Sequence, residues 1–159
     1  MSVVRRVVRK VIATRPAAWV LARTIHHVDG AVIRASGGRF TAASLLSGLP
    51  IIQVTTIGAR SGQPRAVPLV GVPDGERLIL VASNWGQARH PAWYYNVKAH
   101  PQVTVTGRDV PAERLYVARE VTGEDRAACW AKAVAIYPGY AVYARRAGRE
   151  IPVIVLEKR

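Results

Sequence analysis

TTIGARSGQPRAVPLVGVPDGERLILVASNWGQARHPAWYYNVKAHP, residues 55–101, is the stretch on which the reading of this chain turns. Gly58 and Gly62 bracket Ala59, Arg60 and Ser61, and Arg65 follows directly after the turn. An apolar run ends at Ser83-Asn84-Trp85-Gly86, and His90-Pro91 opens a short aromatic segment. Basic side chains, backbone N–H groups freed by a turn and flat aromatic rings thus fall close together. That set suits a large, planar, anionic ligand better than a plain core.

The same stretch sets the strand pattern. Pro50 to Thr56 reads as a strand ended by Gly58, and Gly62-Gln63-Pro64 closes a turn into a second strand over 65–72. Pro73-Asp74-Gly75 reads as a turn, because proline presets φ and glycine accepts positive φ. A third strand covers 77–83, and its Leu78-Ile79-Leu80-Val81 run, apolar on both faces, fits a buried strand. Pro91 opens a helix that Pro101 stops, with Trp93 and Val97 on one face and Tyr94 and Lys98 on another.

Further along, Val103 to Thr106 alternates like a half-buried strand, and 111–121 reads as a longer one. Thr122-Gly123-Glu124-Asp125 resembles a helix cap with first-turn acids, opening a helix to about Ile136. A tyrosine-rich segment follows at 137–143, and 151–156 reads as the last strand. About six strands joined by short turns, with few crossover helices, predict an α+β, mainly β fold: a small antiparallel barrel with flanking helices.

The chain has 159 residues, half of them hydrophobic, and reads as a single domain over 1–159. Cys129 is the one cysteine, so no disulfide forms within the chain and a cytoplasmic setting is expected. The formal net charge is +13, and Arg5, Arg6, Arg9, Lys10, Arg15 and Arg23 all precede the first acid, Asp29. Such a balance calls for a partner of opposite sign: nucleic acid, anionic lipid or a polyanionic cofactor. Residues 1–28 read as a basic amphipathic helical segment, either a solvated helix or one lying on the inner face of the cell membrane. Arg15-Pro16 interrupts its apolar run, which argues against a signal peptide. The barrel core is expected over 49–159.

The chemistry-bearing residues leave alternatives open. The 58–62 turn is neither a Walker loop nor a dinucleotide fingerprint. It is either a hairpin tip with an exposed arginine or a backbone nest that, with Arg60, holds a phosphate or carboxylate. His26, His27, His90 and His100 lack metal-site spacing, so no metal is expected. There is no nucleophile elbow, and Cys129 sits in an apolar helix, where it reads as inert. Tyr137, Tyr140 and Tyr143 are either packing or an aromatic wall with a phenol as proton donor. Trp85, Trp93 and Tyr94 could stack bases, but no nucleic-acid motif accompanies them, so a basic nucleic-acid-binding module is the reading from a different class.

Three ordered segments, TTIGARSGQPR, LILVASNWG and HPAWYYNVKAHP, resemble the deazaflavin-dependent nitroreductase family. The likeness runs from about Leu49 to Val105 and continues more weakly to the final IPVIVLE. It implies a split β-barrel like the pyridoxamine oxidase-like flavin barrels, with coenzyme F420 as cofactor. It implies an F420H2-dependent reductase passing a hydride to a small hydrophobic acceptor such as a quinone, a nitroaromatic or an unsaturated lactone. By position, Gly58, Ala59, Arg60, Ser61, Gly62 and Arg65 would hold the phosphate and glutamate tail. Arg65, Ala66, Val67, Pro68, Leu69 and Val70 would line the cofactor groove. Val81, Ala82, Ser83 and Asn84 would meet the deazaflavin ring, and Ala92, Trp93, Tyr94, Tyr95 and Asn96 would close over it. Tyr137, Tyr140 and Tyr143 would face the substrate, with Tyr140 or Ser83 supplying a proton or polarising the acceptor. Ala59 and Asn84 stand where relatives often carry basic residues, which removes charge from the tail site. FMN in the same barrel, or a barrel that carries the deazaflavin without turnover, are the alternative readings. Homo-oligomers are known among such barrels.

Overall fold

The computed structural model describes residues 48–107 and 110–159. The expected basic helical segment over 1–28 lies outside the described residues. Seven strands form one antiparallel sheet: β1 Ile51–Ile57, β2 Pro64–Val70, β3 Val72–Asp74, β4 Arg77–Val81, β5 Gln102–Gly107, β6 Val110–Val121 and β7 Val153–Lys158. Three helices accompany them: α1 Ala92–Ala99, α2 Gly123–Ile136 and α3 Gly139–Ala147.

The strand order is β2-β1-β5-β6-β7-β4-β3. The two edge strands, β2 and β3, are consecutive in the chain and joined through Gly71 alone. Opposite edges of a flat seven-stranded sheet cannot be one residue apart, so the sheet must roll until they meet. Strand β6 carries much of the bend. Its first part pairs with β5, Gly107 against Val110 to Gln102 against Val117, and its last part with β7, Tyr116 against Lys158 to Val121 against Val153.

Two apolar clusters lie on opposite faces of the rolled sheet. One joins Ile52, Val54, Leu80, Val103, Val105, Ile154 and Leu156 to Trp93 and Val97 of α1. The other joins Ile79, Val81, Val153 and Val155 to Cys129 and Ala133 of α2 and the three tyrosines around α3. Strands β4 and β7 therefore bury both faces, which explains the unbroken Leu78–Val81 run. A fully buried Ile or Leu contributes roughly 1.5–3 kcal/mol relative to exposure, so these two strands dominate the core.

Several expectations shift. Pro73 and Asp74 are not turn residues: Pro73 pairs with Leu78, Asp74 pairs with Arg77, and the turn is Gly75-Glu76. An edge strand tolerates a proline, because the missing N–H leaves no ladder bond unmade. The strand expected over 65–72 therefore divides at Gly71, giving seven strands instead of six. The last strand begins at Val153, not Ile151, because Pro152 has no N–H to donate; its carbonyl takes the Ala82 N–H instead. Thr122 does precede α2, but its side chain makes no capping bond. Gly123 enters the helix at φ +56, a left-handed start that glycine accepts.

Candidate functional site

A cleft of about 1330 Å³ opens between β2, the β1–β2 turn, the β4–α1 loop, α1 and the tyrosine cluster. Among the described residues it is lined by Arg60, Arg65, Arg89 and Lys98, and by no carboxylate. Lys98 is paired with Glu120 at 2.9 Å. Among the described residues, Arg60, Arg65 and Arg89 have no acidic partner. A cleft so lined carries a positive field concentrated by its low-dielectric walls.

The β1–β2 turn is fixed by its own backbone and by α1. The Gly58 N–H donates to the Gln63 carbonyl at 2.9 Å, and the Gly62 N–H to the Gly58 carbonyl at 2.8 Å. Asn96 ties the turn to the helix. Its Oδ1 accepts from the Ala59 N–H at 3.0 Å, and its Nδ2 donates to Thr56 Oγ1 at 3.0 Å. Thr56 Oγ1 in turn donates to the Arg65 carbonyl at 3.2 Å. The Arg60 and Ser61 N–H groups are left without a partner among the described residues, at the tip of an exposed turn. Free backbone donors and two guanidinium groups with no acidic partner among the described residues thus line the same end of the cleft, a combination suited to an anion.

Apolar side chains of β2, Val67 and Leu69, with Pro68 between them, form one wall of the cleft, and Val81 at the end of β4 belongs to the lining. The chain then leaves the sheet through a strained turn. Asn84 and Trp85 both adopt positive φ, 45° and 58°, and Gly86 follows at 76°. Such a conformation costs a non-glycine residue on the order of 1–2 kcal/mol. Asparagine and glycine tolerate it; tryptophan does not, and nothing in the sequence pattern announces it. At Gly86 a Cβ would meet the Tyr143 Cα and carbonyl oxygen, both at 3.1 Å. That close approach seats the turn against α3. The Trp85 ring packs edge-on against Tyr143 at 6.2 Å.

The three tyrosines are buried and line the cleft. Tyr137 and Tyr143 share a hydrogen bond between their hydroxyls at 2.9 Å. Burial, then the neighbouring Tyr137, pushes the Tyr140 phenol well above its ordinary range; burial does the same for Tyr143. A phenol so shifted holds its proton firmly and acts as a hydrogen-bond donor, not as an acid.

Most of the expected site residues meet here. Gly58, Ala59, Arg60, Ser61, Arg65, Ala66, Val67, Pro68, Leu69, Val70, Val81, Ser83, Asn84, Ala92, Trp93, Tyr95 and Asn96 line the cleft with the three tyrosines. Three do not. Gly62 is exposed at the hairpin tip, and Ala82 is wholly buried in the core beneath. The Tyr94 side chain turns away, its hydroxyl donating to Glu120 Oε2 at 3.1 Å. Trp93 is mostly core, as the Trp93/Val97 spacing predicts. Asn84 Nδ2 is taken up by the Arg89 carbonyl at 2.9 Å. Thr56, Trp85, Gln87, Arg89, His90 and Lys98 also line the cleft, though they are not among the expected cofactor or substrate residues. The His90 ring stacks on Tyr94 at 4.7 Å, and burial ahead of the nearby Arg149 lowers its pKa, so it stays neutral. Cys129 is buried, and burial raises its thiol pKa, consistent with an unreactive packing role.

Among the described residues, no helix is long and apolar enough to cross a membrane.

Comparison with known proteins places these features. Residues 26–158 match the family described as F420H(2)-dependent quinone reductase. An F420H(2)-dependent quinone reductase of Mycobacterium tuberculosis strain H37Rv is 33% identical over 121 residues, covering 69% of this chain and 74% of that protein. A solved F420-H2 dependent reductase is 43% identical with a TM-score of 0.61, covering 68% of this chain and 94% of that one. Another solved structure, described as a domain-swapped dimer, is 37% identical with a TM-score of 0.64, covering 89% of this chain and 99% of that one.

Proposed function

The chain belongs to the F420H(2)-dependent quinone reductase family, and from that premise we propose that the cleft is the seat of a reduced-F420-dependent reduction of a quinone-class acceptor. The observation that carries this assignment is the lining itself: among the described residues, three arginines without an acidic partner and no carboxylate, with an apolar wall and buried phenols in the same cleft.

The residues fit the cofactor. Arg60 and Arg65, with the free N–H groups of Arg60 and Ser61, would hold the anionic tail. Two charge-assisted bonds contribute roughly 3–6 kcal/mol gross, before ordering is subtracted. Val67, Leu69 and Val81 would bury the flat ring system and exclude water. When bound, the reduced deazaflavin supplies the hydride. The chain has then only to orient it and to seat the acceptor at about 3–3.5 Å, which is why no acid–base pair is needed. Tyr140 would donate a hydrogen bond to an acceptor oxygen, and Ser83, next to Val81 at the strand end, would contact the ring. Asn96 serves by fixing the turn.

A fluorescence titration with F420, beside FMN at the same salt, tests the assignment. Replacing Arg60 and Arg65 together by alanine should raise the F420 dissociation constant by about tenfold or more. An unchanged constant would remove them from the site. Tyr140→Phe should lower turnover by roughly tenfold with binding intact; full activity would make it a packing residue.

The quinone acceptor suggests a place of work. The six basic residues before Asp29 would draw the chain to anionic lipid, at about 1 kcal/mol each near the surface. Deleting residues 1–14 should abolish sedimentation with anionic vesicles; retained binding would contradict this.

A further inference from the structure

Arg149 follows Gly148, the left-handed residue that ends α3 at φ 63°, and stands between α3 and β7. Among the described residues its guanidinium meets no carboxylate. The adjacent Glu150 pairs instead with Arg126, at 3.5 Å. All of its donor groups go to backbone carbonyls: Nε to Gln87 at 3.3 Å, Nη1 to Glu150 at 3.1 Å, and Nη2 to both Ala82 at 3.3 Å and Arg89 at 3.1 Å. Three of these four carbonyls belong to the segment 82–89, which contains the consecutive left-handed residues 84–86. The Arg89 carbonyl is also the one that Asn84 Nδ2 reaches. One cation thus grips both ends of a loop that holds an unfavourable backbone shape. Ser83, Asn84, Trp85, Gln87 and Arg89 of that loop line the cleft, whereas Arg149 does not.

We propose that Arg149 is a positioning residue: its planar fork clamps the 82–89 loop in its strained form and thereby sets the ring-facing wall of the cleft. The consequence for binding rests on the functional reading above; the clamp itself does not. An ammonium group has its three donors on one nitrogen and cannot reach four carbonyls set around three nitrogens, so lysine would not substitute for the guanidinium.

Two variants, Arg149→Ala and Arg149→Lys, test this by two readouts. The first is amide hydrogen exchange of the ligand-free protein. The Gly86 and Gln87 N–H groups, bonded to the Ser83 and Asn84 carbonyls, should exchange about tenfold faster or more in both variants, with β4 and β7 amides unchanged. The second is F420 titration, where both variants should bind about tenfold more weakly than the parent. Unchanged exchange at Gly86 and Gln87, or full retention of both properties by the lysine variant, would overturn the proposal. So would a rise spread evenly over β4 and β7, which marks a general stabiliser. If the parent protein failed to bind F420, the functional reading would fall while the exchange comparison still decided the clamp.

Discussion

Asn96 offers the sharpest test of how the barrel builds the arginine-lined end of the cleft. The side chain is 9% exposed and makes two hydrogen bonds, to the Ala59 N–H and to Thr56 Oγ1. Asn96→Ala removes both, at a net loss of about 1 kcal/mol each. Thr56 keeps its bond to the Arg65 carbonyl, so the hydroxyl is not stranded and the total stays near 2 kcal/mol. For a chain of this size that corresponds to a fall of about 4–8 °C in the thermal midpoint. Asn96→Asp should behave differently. One carboxylate oxygen can still accept from Ala59, and the other can take the Thr56 proton in exchange for its bond to the Arg65 carbonyl, so stability should fall less. But it places a negative charge in a cleft that has none, so F420 binding should fall more than in the alanine variant. The assay is paired: thermal unfolding without ligand and fluorescence titration with it. A midpoint shift below about 1 °C for Asn96→Ala would show that the network does not hold the turn. Equal affinities for the two variants would show that the anion does not sit there. Thr56→Val combined with Asn96→Ala should lose less than the sum of the single variants, because both break one bond, with a coupling of about 1 kcal/mol.

Two further outcomes follow from the α3 side of the cleft. Gly86→Ala places a Cβ at φ +76° against the Tyr143 backbone and should destabilise by about 1–3 kcal/mol, read as a lower urea midpoint at unchanged slope; wild-type stability would contradict the left-handed turn. Tyr140 and Tyr143 are pushed by burial above the ordinary 10.0, so the unfolded chain releases these protons first. The stability they supply is complete below about pH 10 and drains away as pH rises beyond it. Urea midpoints should fall through that window, and Tyr143→Phe should flatten the fall; an identical pH dependence in the variant would reject the burial argument.

The strands were legible where periodicity was strong. Alternation in β1 and β5 and the doubly apolar run of β4 each reflect which faces are covered. The Pro73 turn was misplaced because local turn chemistry cannot know that β3 is an edge strand, where proline is harmless. The grouping of the 58–62 turn with Arg65 at one end of the cleft was legible because these residues lie within eight positions of one another. Arg149 was not, since its partners are carbonyls about sixty residues upstream and carbonyls carry no sequence signature. The same holds for Trp85, whose positive φ opposes its own preference and whose ring packs edge-on against Tyr143, far along the chain. Tyr94 carried the family motif yet faces Glu120: a motif fixes position, whereas the helix face fixes direction.

Strand β7 lies between β6 and β4, so Val81 meets Val153 across seventy-odd residues of chain. During synthesis on the ribosome, the hairpins β1–β2 and β3–β4 can close early, but β4 has no inner neighbour until residues 153–158 emerge. Until then an edge of Leu78, Ile79, Leu80 and Val81 stands open, the kind of apolar edge that other chains can join. The strand that the cleft depends on is thus also an apolar edge in need of shelter while the polypeptide is growing, and truncation before Val153 should make the product prone to aggregate.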